Sequence, residues 1–242
     1  HVVALGGLVL SPAAWGLPAL GAMVANHVLL GAVGMWPRST ALGPNLSRLP
    51  AAAQARGAVA ITIDDGPDPA VTPALLDLLA QLRVQATFFC IAERARAHPE
   101  LTRRVIGMGH DVQNHTLRHP HHFAMMGVKA IERELQTAQD TLADITGVRP
   151  HCFRAPAGLR NPMLDPVLHR LGLHLLSWTR RGYDTRTDQP AAVLQRLGQG
   201  LAAGDILLLH DGNARRTPQG TPVLMEVLPG LVAQIRSAGL HT

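Results

Sequence analysis

From Ala58 onward the sequence alternates short apolar runs with helical patterns, and few architectures accept that rhythm. The apolar runs, read as strands, are Ala58–Ile63, Gln85–Ile91, Asp111–His115, Cys152–Ala155, His174–Thr179 and Asp205–His210. Between them the periodicity predicts helices near Pro73–Leu82, Pro99–Met108, Val128–Thr146, Pro162–Leu171, Pro190–Ala202 and Pro222–Ala238. Proline stands at or near most of the helix starts, where its missing N–H is harmless. Gly109, Gly147, Gly172 and Gly204 follow several of them, as C-terminal caps do. Such alternation implies βαβ units around a parallel sheet, either a barrel or an open doubly wound sheet. Asp64, His115, Arg154 and His210 each fall at the C-terminal end of a predicted strand, which favours the barrel, because parallel barrels gather their chemistry there.

The first 37 residues obey a different rule. They hold no charged side chain, and Leu17–Trp36 matches the roughly 20 residues that cross a bilayer core, with Trp15 and Trp36 at its ends. Residues 1–37 are therefore expected to be membrane-embedded, Val2–Leu10 being the remnant of a further span; the alternative is a buried hairpin of two core helices bent at Gly and Pro. Residues 38–57, rich in Pro, Gly, Asn and Ser, read as a linker, leaving 58–242 as the folded α/β domain.

Charge sharpens that division. The chain has 22 Lys+Arg against 17 Asp+Glu, but Arg38, Arg48 and Arg56 supply three of the excess of five, beside the apolar segment. They suit lipid headgroups, and by the positive-inside rule they favour a cytoplasmic side for the domain after them. The remaining basic residues are scattered, and aromatic residues are only 3% of the chain, so a nucleic-acid footprint is not expected. Cys90 and Cys152 lack a C-x-x-C spacing and read as small buried hydrophobes, with a single bridge as the alternative.

Four short motifs carry chemistry. Thr62-Ile-Asp64-Asp65-Gly66-Pro67 ends a strand with two carboxylates, which can serve one site only if the strand stops there. His115 and His119 are four residues apart, so one helical turn would bring both imidazoles to one face as metal ligands. Arg154 precedes the bend Ala155-Pro156-Ala157-Gly158, where it can orient a catalytic carboxylate, and His210 ends the apolar run Leu207-Leu208-Leu209.

In order and spacing these motifs resemble the polysaccharide deacetylase family, the NodB-homology domain, over nearly all of Ala58–Thr242. The resemblance implies a distorted, incompletely closed α/β barrel, since a closing strand is expected where the chain ends at His241–Thr242. It implies Asp64 as catalytic base, His210 as general acid and Arg154 as the residue holding Asp64. Asp65, His115 and His119 would bind a divalent metal, Zn²⁺ first and Co²⁺, Ni²⁺ or Mn²⁺ as alternatives. Asp184 is expected as the partner of Arg154, and Ala157, Trp178, Tyr183 and Leu207 as substrate contacts, Ala157 through its backbone N–H. The implied activity is metal-dependent hydrolysis of an N-acetyl amide on an amino sugar of an envelope polysaccharide or glycolipid. Deformylation or deacylation of a lipid-linked amino sugar, and an inactive membrane-tethered sugar-binding protein, are the alternatives. Pro120–Gly127 and Arg180–Pro190 are the loops expected to set the substrate.

Overall fold

The structure, a computed structural model, describes Gly6, Val9 and residues 12–242. The suggested span at Val2–Leu10 lies outside the described residues apart from Gly6 and Val9. Seven parallel strands form one sheet: β1 (Ala60–Asp64), β2 (Thr87–Cys90), β3 (Asp111–Asn114), β4 (Cys152–Phe153), β5 (His174–Leu175), β6 (Arg180–Arg181) and β7 (Ile206–His210). Their order is β5-β4-β3-β2-β1-β7-β6, so β5 and β6 are the two edges and the barrel is incompletely closed. The short strand β6 has no apolar alternation, which is why periodicity does not find it.

Nine α-helices occur among the described residues, in chain order: α1 (Pro12–Gly34), α2 (Ala51–Ala55), α3 (Thr72–Leu82), α4 (Ala92–Ala97), α5 (Pro99–Gly107), α6 (Val128–Thr146), α7 (Leu164–Leu171), α8 (Pro190–Gly198) and α9 (Val223–Ser237). Helices α2 and α4 span five and six residues, too few to show a helical period. The main core lies between the outer face of the sheet and its helices. Ile61, Ile63, Leu207 and Leu209 meet Leu75 and Leu79 of α3 and Val227 and Leu231 of α9 there. Both cysteines are free and buried.

Helix α1 is one continuous helix of 23 residues, not a buried hairpin, and most of its side chains are exposed. The stretch read as a linker is docked on the barrel. The Leu46 N–H donates to the Leu175 carbonyl, the Ser177 N–H to the Leu46 carbonyl, and the Leu49 N–H to the Gly204 carbonyl. This segment therefore runs from the β5 edge toward the start of β7, and Leu49 packs with Trp178, Ile206 and Leu208. Arg48 is held by Asp205 at 3.1 Å, so it is not a free headgroup ligand. In place of a full closing strand, His241 forms a single parallel bridge with Ala58.

Candidate active site

Register places the first two functional groups. β1 and β7 pair with Asp64 opposite His210, so both side chains emerge at the same end of the sheet. Asp65 then takes a left-handed conformation, φ 75°, which ends the strand and lets its carboxylate share the site with Asp64. Gly66 is required by crowding: a Cβ there would lie 2.4 Å from both carboxylate oxygens of Asp211.

His115 and His119 converge, but through a loop and not a helical turn. Thr116 and His119 have φ of 70° and 56°, and the ring centroids lie 4.8 Å apart. The Thr116 N–H donates to Asn114 Oδ1, and the Thr116 hydroxyl accepts the His119 N–H at 2.7 Å. A small hydroxyl residue inside the motif thus folds the loop that pairs the histidines.

His115 Nδ1 donates to the Arg154 carbonyl at 2.8 Å, which leaves Nε2 as a bare nitrogen facing the site. Asp65 Oδ1 lies 3.3 Å from His115 Nε2 and 3.4 Å from His119 Nε2, and it accepts no hydrogen bond although buried. One ligand atom from each of Asp65, His115 and His119 falls within 4.8 Å of the others. This mixed oxygen and nitrogen set fits a borderline divalent ion better than Mg²⁺ or Ca²⁺. Burial raises the Asp65 carboxyl pKa, but the close approach of His115 and the charges of the surrounding imidazoles outweigh it and hold the group far below the usual range. Burial would lower His115, yet Asp64 and Asp65 raise it, while burial and the neighbouring His115 push His119 down to about 4.

Arg154 is fully buried and serves Asp64 directly. One guanidinium nitrogen donates to Asp64 Oδ1 at 2.6 Å and to the Thr62 hydroxyl at 2.8 Å. Its other nitrogens reach the Leu176 and Ser177 carbonyls, and the plane stacks on Phe89 at 4.1 Å. The expected Arg154–Asp184 pair is replaced by another: Asp184 accepts from His210 Nδ1 at 2.9 Å and from the His210 backbone N–H at 2.8 Å. That turns His210 Nε2 toward the cavity. Burial lowers the His210 pKa, but Asp184 overcomes it, and the net shift is upward.

Asp64, Asp65, His115, His119 and His210 line a cavity of about 180 Å³ with Ala157, Gly158, Trp178, Arg181, Leu208 and Asn213, while Arg154 and Asp184 stand behind its wall. Tyr183 is not in that wall; it is 43% exposed and stacks against Arg181 at the rim. Leu207 is not a wall residue either. It lies three residues before His210, an odd offset, so its side chain points to the helix-covered core while Leu208 faces in. Asn213, which donates to Asp65 Oδ2 at 2.8 Å, and Arg181 carry no motif signal and were not expected.

Similarity to known proteins agrees with this geometry. The family model described as polysaccharide deacetylase matches residues 51–176. The chain belongs to the polysaccharide deacetylase family. A peptidoglycan-N-acetylglucosamine deacetylase of Bacillus cereus is 33% identical over 178 residues, 73% of this chain and 82% of that one. A chitooligosaccharide deacetylase of Sinorhizobium fredii is 33% identical over 174 residues, 69% and 78% of the two chains. Among solved structures, a family 4 carbohydrate esterase from Streptomyces lividans in complex with acetate superposes with a TM-score of 0.70 at 29% identity, covering 77% of this chain and 91% of that one. As a polysaccharide deacetylase the protein is a hydrolase of amide C–N bonds, and the incompletely closed barrel is the fold of its family.

Proposed function

We propose that the protein removes N-acetyl groups from amino sugars of a cell-envelope polysaccharide or glycolipid, and that α1 anchors it in the membrane. The observation that carries this reading is the pairing of Asp64 and His210 on adjacent strand ends beside the Asp65–His115–His119 donor set. Those three residues would hold the divalent ion, Zn²⁺ first, whose Lewis acidity acidifies water and polarises the amide carbonyl when bound.

The other steps belong to the chain's own groups. Arg154 occupies Asp64 Oδ1, leaving Oδ2 to take the proton of the attacking water. As the C–O bond forms and the C–N bond breaks, the backbone N–H of Ala157 stabilises the oxygen charge. His210 Nε2 delivers its proton to the departing nitrogen, and the products are acetate and a free amino sugar. Trp178 offers a face for the sugar ring, and Tyr183 extends it at the rim. A sugar-binding protein without activity would not need Asp184 aligned on His210 or Arg154 on Asp64.

Acetate release from N-acetylated oligosaccharides, read beside metal content, tests the assignment. Asp64→Asn should retain the metal and lose about 10²–10⁴-fold in kcat, the usual worth of a general base. His115→Ala should lose the metal itself. Full activity in either variant would overturn the roles of Asp64 as base and His115 as ligand.

A further inference from the structure

We infer that the site works at the bilayer surface, on an N-acylated amino sugar joined through a phosphate to a membrane lipid. This rests on the deacetylase reading and on α1 lying in the membrane, and it selects one substrate class for that site.

The first observation is the absence of slack between helix and cavity. The last residue of α1, Gly34, accepts the Arg160 N–H through its carbonyl at 3.1 Å, and a Cβ on it would meet the Arg160 carbonyl at 2.2 Å. Three residues later Pro37 packs on Gly158, where an added Cβ would lie 2.6 Å from both Pro37 and Trp178. Gly158 and Trp178 are walls of the catalytic cavity. Three residues extend at most about 11 Å, so the end of the apolar helix and the cavity wall are tied within that distance. Beyond Pro37 the chain stays fastened: Asn45 donates to the Pro37 and Ser39 carbonyls, and Arg38 to the Thr179 carbonyl. A glycan standing well away from the bilayer is out of reach of such a site, whereas a headgroup-borne sugar is presented to it.

The surface around the tether supports the same placement. Met35 and Trp36 are 71% and 64% exposed at the helix end. Met125 and Met163, 85% and 47% exposed, flank Asn161, whose side chain ties the 124–126 turn to the segment beside Arg160. Exposed Trp and Met at the foot of a membrane helix suit the interfacial zone.

The second observation concerns charge. Arg181 lines the cavity between Trp178 and Tyr183, at 5.3 and 5.1 Å from their rings. Among the described residues it makes no ion pair, and its Nε is buried without a hydrogen-bond partner. A neutral acetamido sugar offers this guanidinium only uncharged acceptors, whereas a phosphate on the sugar offers a charged one that matches its fork bidentately.

The full chain in phosphatidylethanolamine–phosphatidylglycerol vesicles can be assayed for acetate release from three probes: polyprenyl-diphosphate N-acetylglucosamine, the same sugar diphosphate without lipid, and a neutral N-acetylchitooligosaccharide. The lipid-linked probe should be turned over with kcat/KM at least about tenfold above the other two. Arg181→Gln should lower kcat/KM on the lipid-linked probe about tenfold more than on the neutral one, the scale of a charge-assisted hydrogen bond. A 20-residue Gly/Ser insert between Met35 and Trp36, which adds roughly 25 Å of reach, should cut turnover of the lipid-linked probe and spare the soluble ones. Equal or better turnover of either soluble probe, or variants that scale all rates alike, would overturn the inference while leaving the deacetylase reading intact. Acetate from none of the three probes would instead remove the deacetylase reading, and this inference with it.

Discussion

His210 can act as an acid only while it holds a proton, and Asp184 is what keeps one there. Burial disfavours the imidazolium; the Asp184 hydrogen bond and charge favour it and win, so the pKa lies above the ordinary histidine value. The acid form is lost as pH rises through that pKa, so in the general-acid role proposed for His210 it should set the alkaline limb of activity. Asp184→Asn removes the strongest influence against burial and leaves only the more weakly acting Asp64 and Asp65 charges, so the limb should move to lower pH, with kcat at pH 8 down by about 10²-fold. A pH profile of kcat at saturating metal checks this, and an unmoved limb would remove Asp184 from the role. Arg154 is held at the same scale. Arg154 is the largest fully buried side chain among the described residues, and Arg154→Ala would strand Asp64 without its partner, at a cost of about 3–5 kcal/mol by denaturant unfolding. The residues that the structure gathers at one strand end, and that spacing had singled out, are those whose order along the chain is itself the signal: Asp64, Asp65, His115, His119, Arg154 and His210. Asp184 and Asn213 were misread or missed, because a side chain's partner depends on which strand end folds over which. Leu207 was legible after all, since strand parity alone puts it on the face away from His210.

At the scale of elements, strands and long helices were readable to within a few residues because each buries an apolar face with its own period. The segments that shape the site were not. β6 spans two residues, the His115–His119 turn is built from left-handed backbone, and residues 46–49 are fastened by main-chain hydrogen bonds, none of which leaves a hydrophobic rhythm. Left-handed non-glycine residues gather at this end of the sheet: Asp65, Thr116, His119, Ala157 and Tyr183. Such conformations cost about 1–3 kcal/mol each and persist where surrounding structure imposes them. Gly158 is where the tether, the Arg154 loop and Trp178 meet. Its φ is 74°, and Gly158→Ala would add both left-handed strain and a 2.6 Å contact with Pro37. We expect at least about 1–2 kcal/mol of destabilisation and lower turnover. Gly147→Ala, also at positive φ (74°) but with open space around its Cβ, should show the conformational cost alone and keep activity. Paired denaturation and rate measurements separate the two effects, and identical losses of activity would show that the contact at Gly158 does not position the site.

For the whole molecule, the proposed donor set would tie stability to metal. Asp65 comes from the end of β1 and the histidines from the loop after β3, so an ion joining them bridges two parts of the sheet that β2 separates in the strand order. The unfolded chain presents no such arrangement, and binding to the folded form alone stabilises it by about 4 kcal/mol at a thousandfold excess over Kd. For a protein of this size each kcal/mol raises Tm by about 2–4 °C, so saturating Zn²⁺ should lift Tm by about 8–16 °C, and a chelator should reverse the gain. Protons compete for the same atoms. Asp64 and Asp65 hold the His115 pKa above its ordinary value, so the metal must displace a proton until the pH passes that raised pKa. The Tm gain should therefore shrink as the pH falls through that range, whereas a metal bound elsewhere by carboxylates alone would keep its effect to lower pH. His119→Ala removes one nitrogen from the set and should abolish most of the gain while leaving the metal-free Tm close to that of the parent. Calorimetry of the full chain in detergent reads all of this, and a Tm that ignores Zn²⁺ at pH 8 would mean that Asp65, His115 and His119 do not form the metal site.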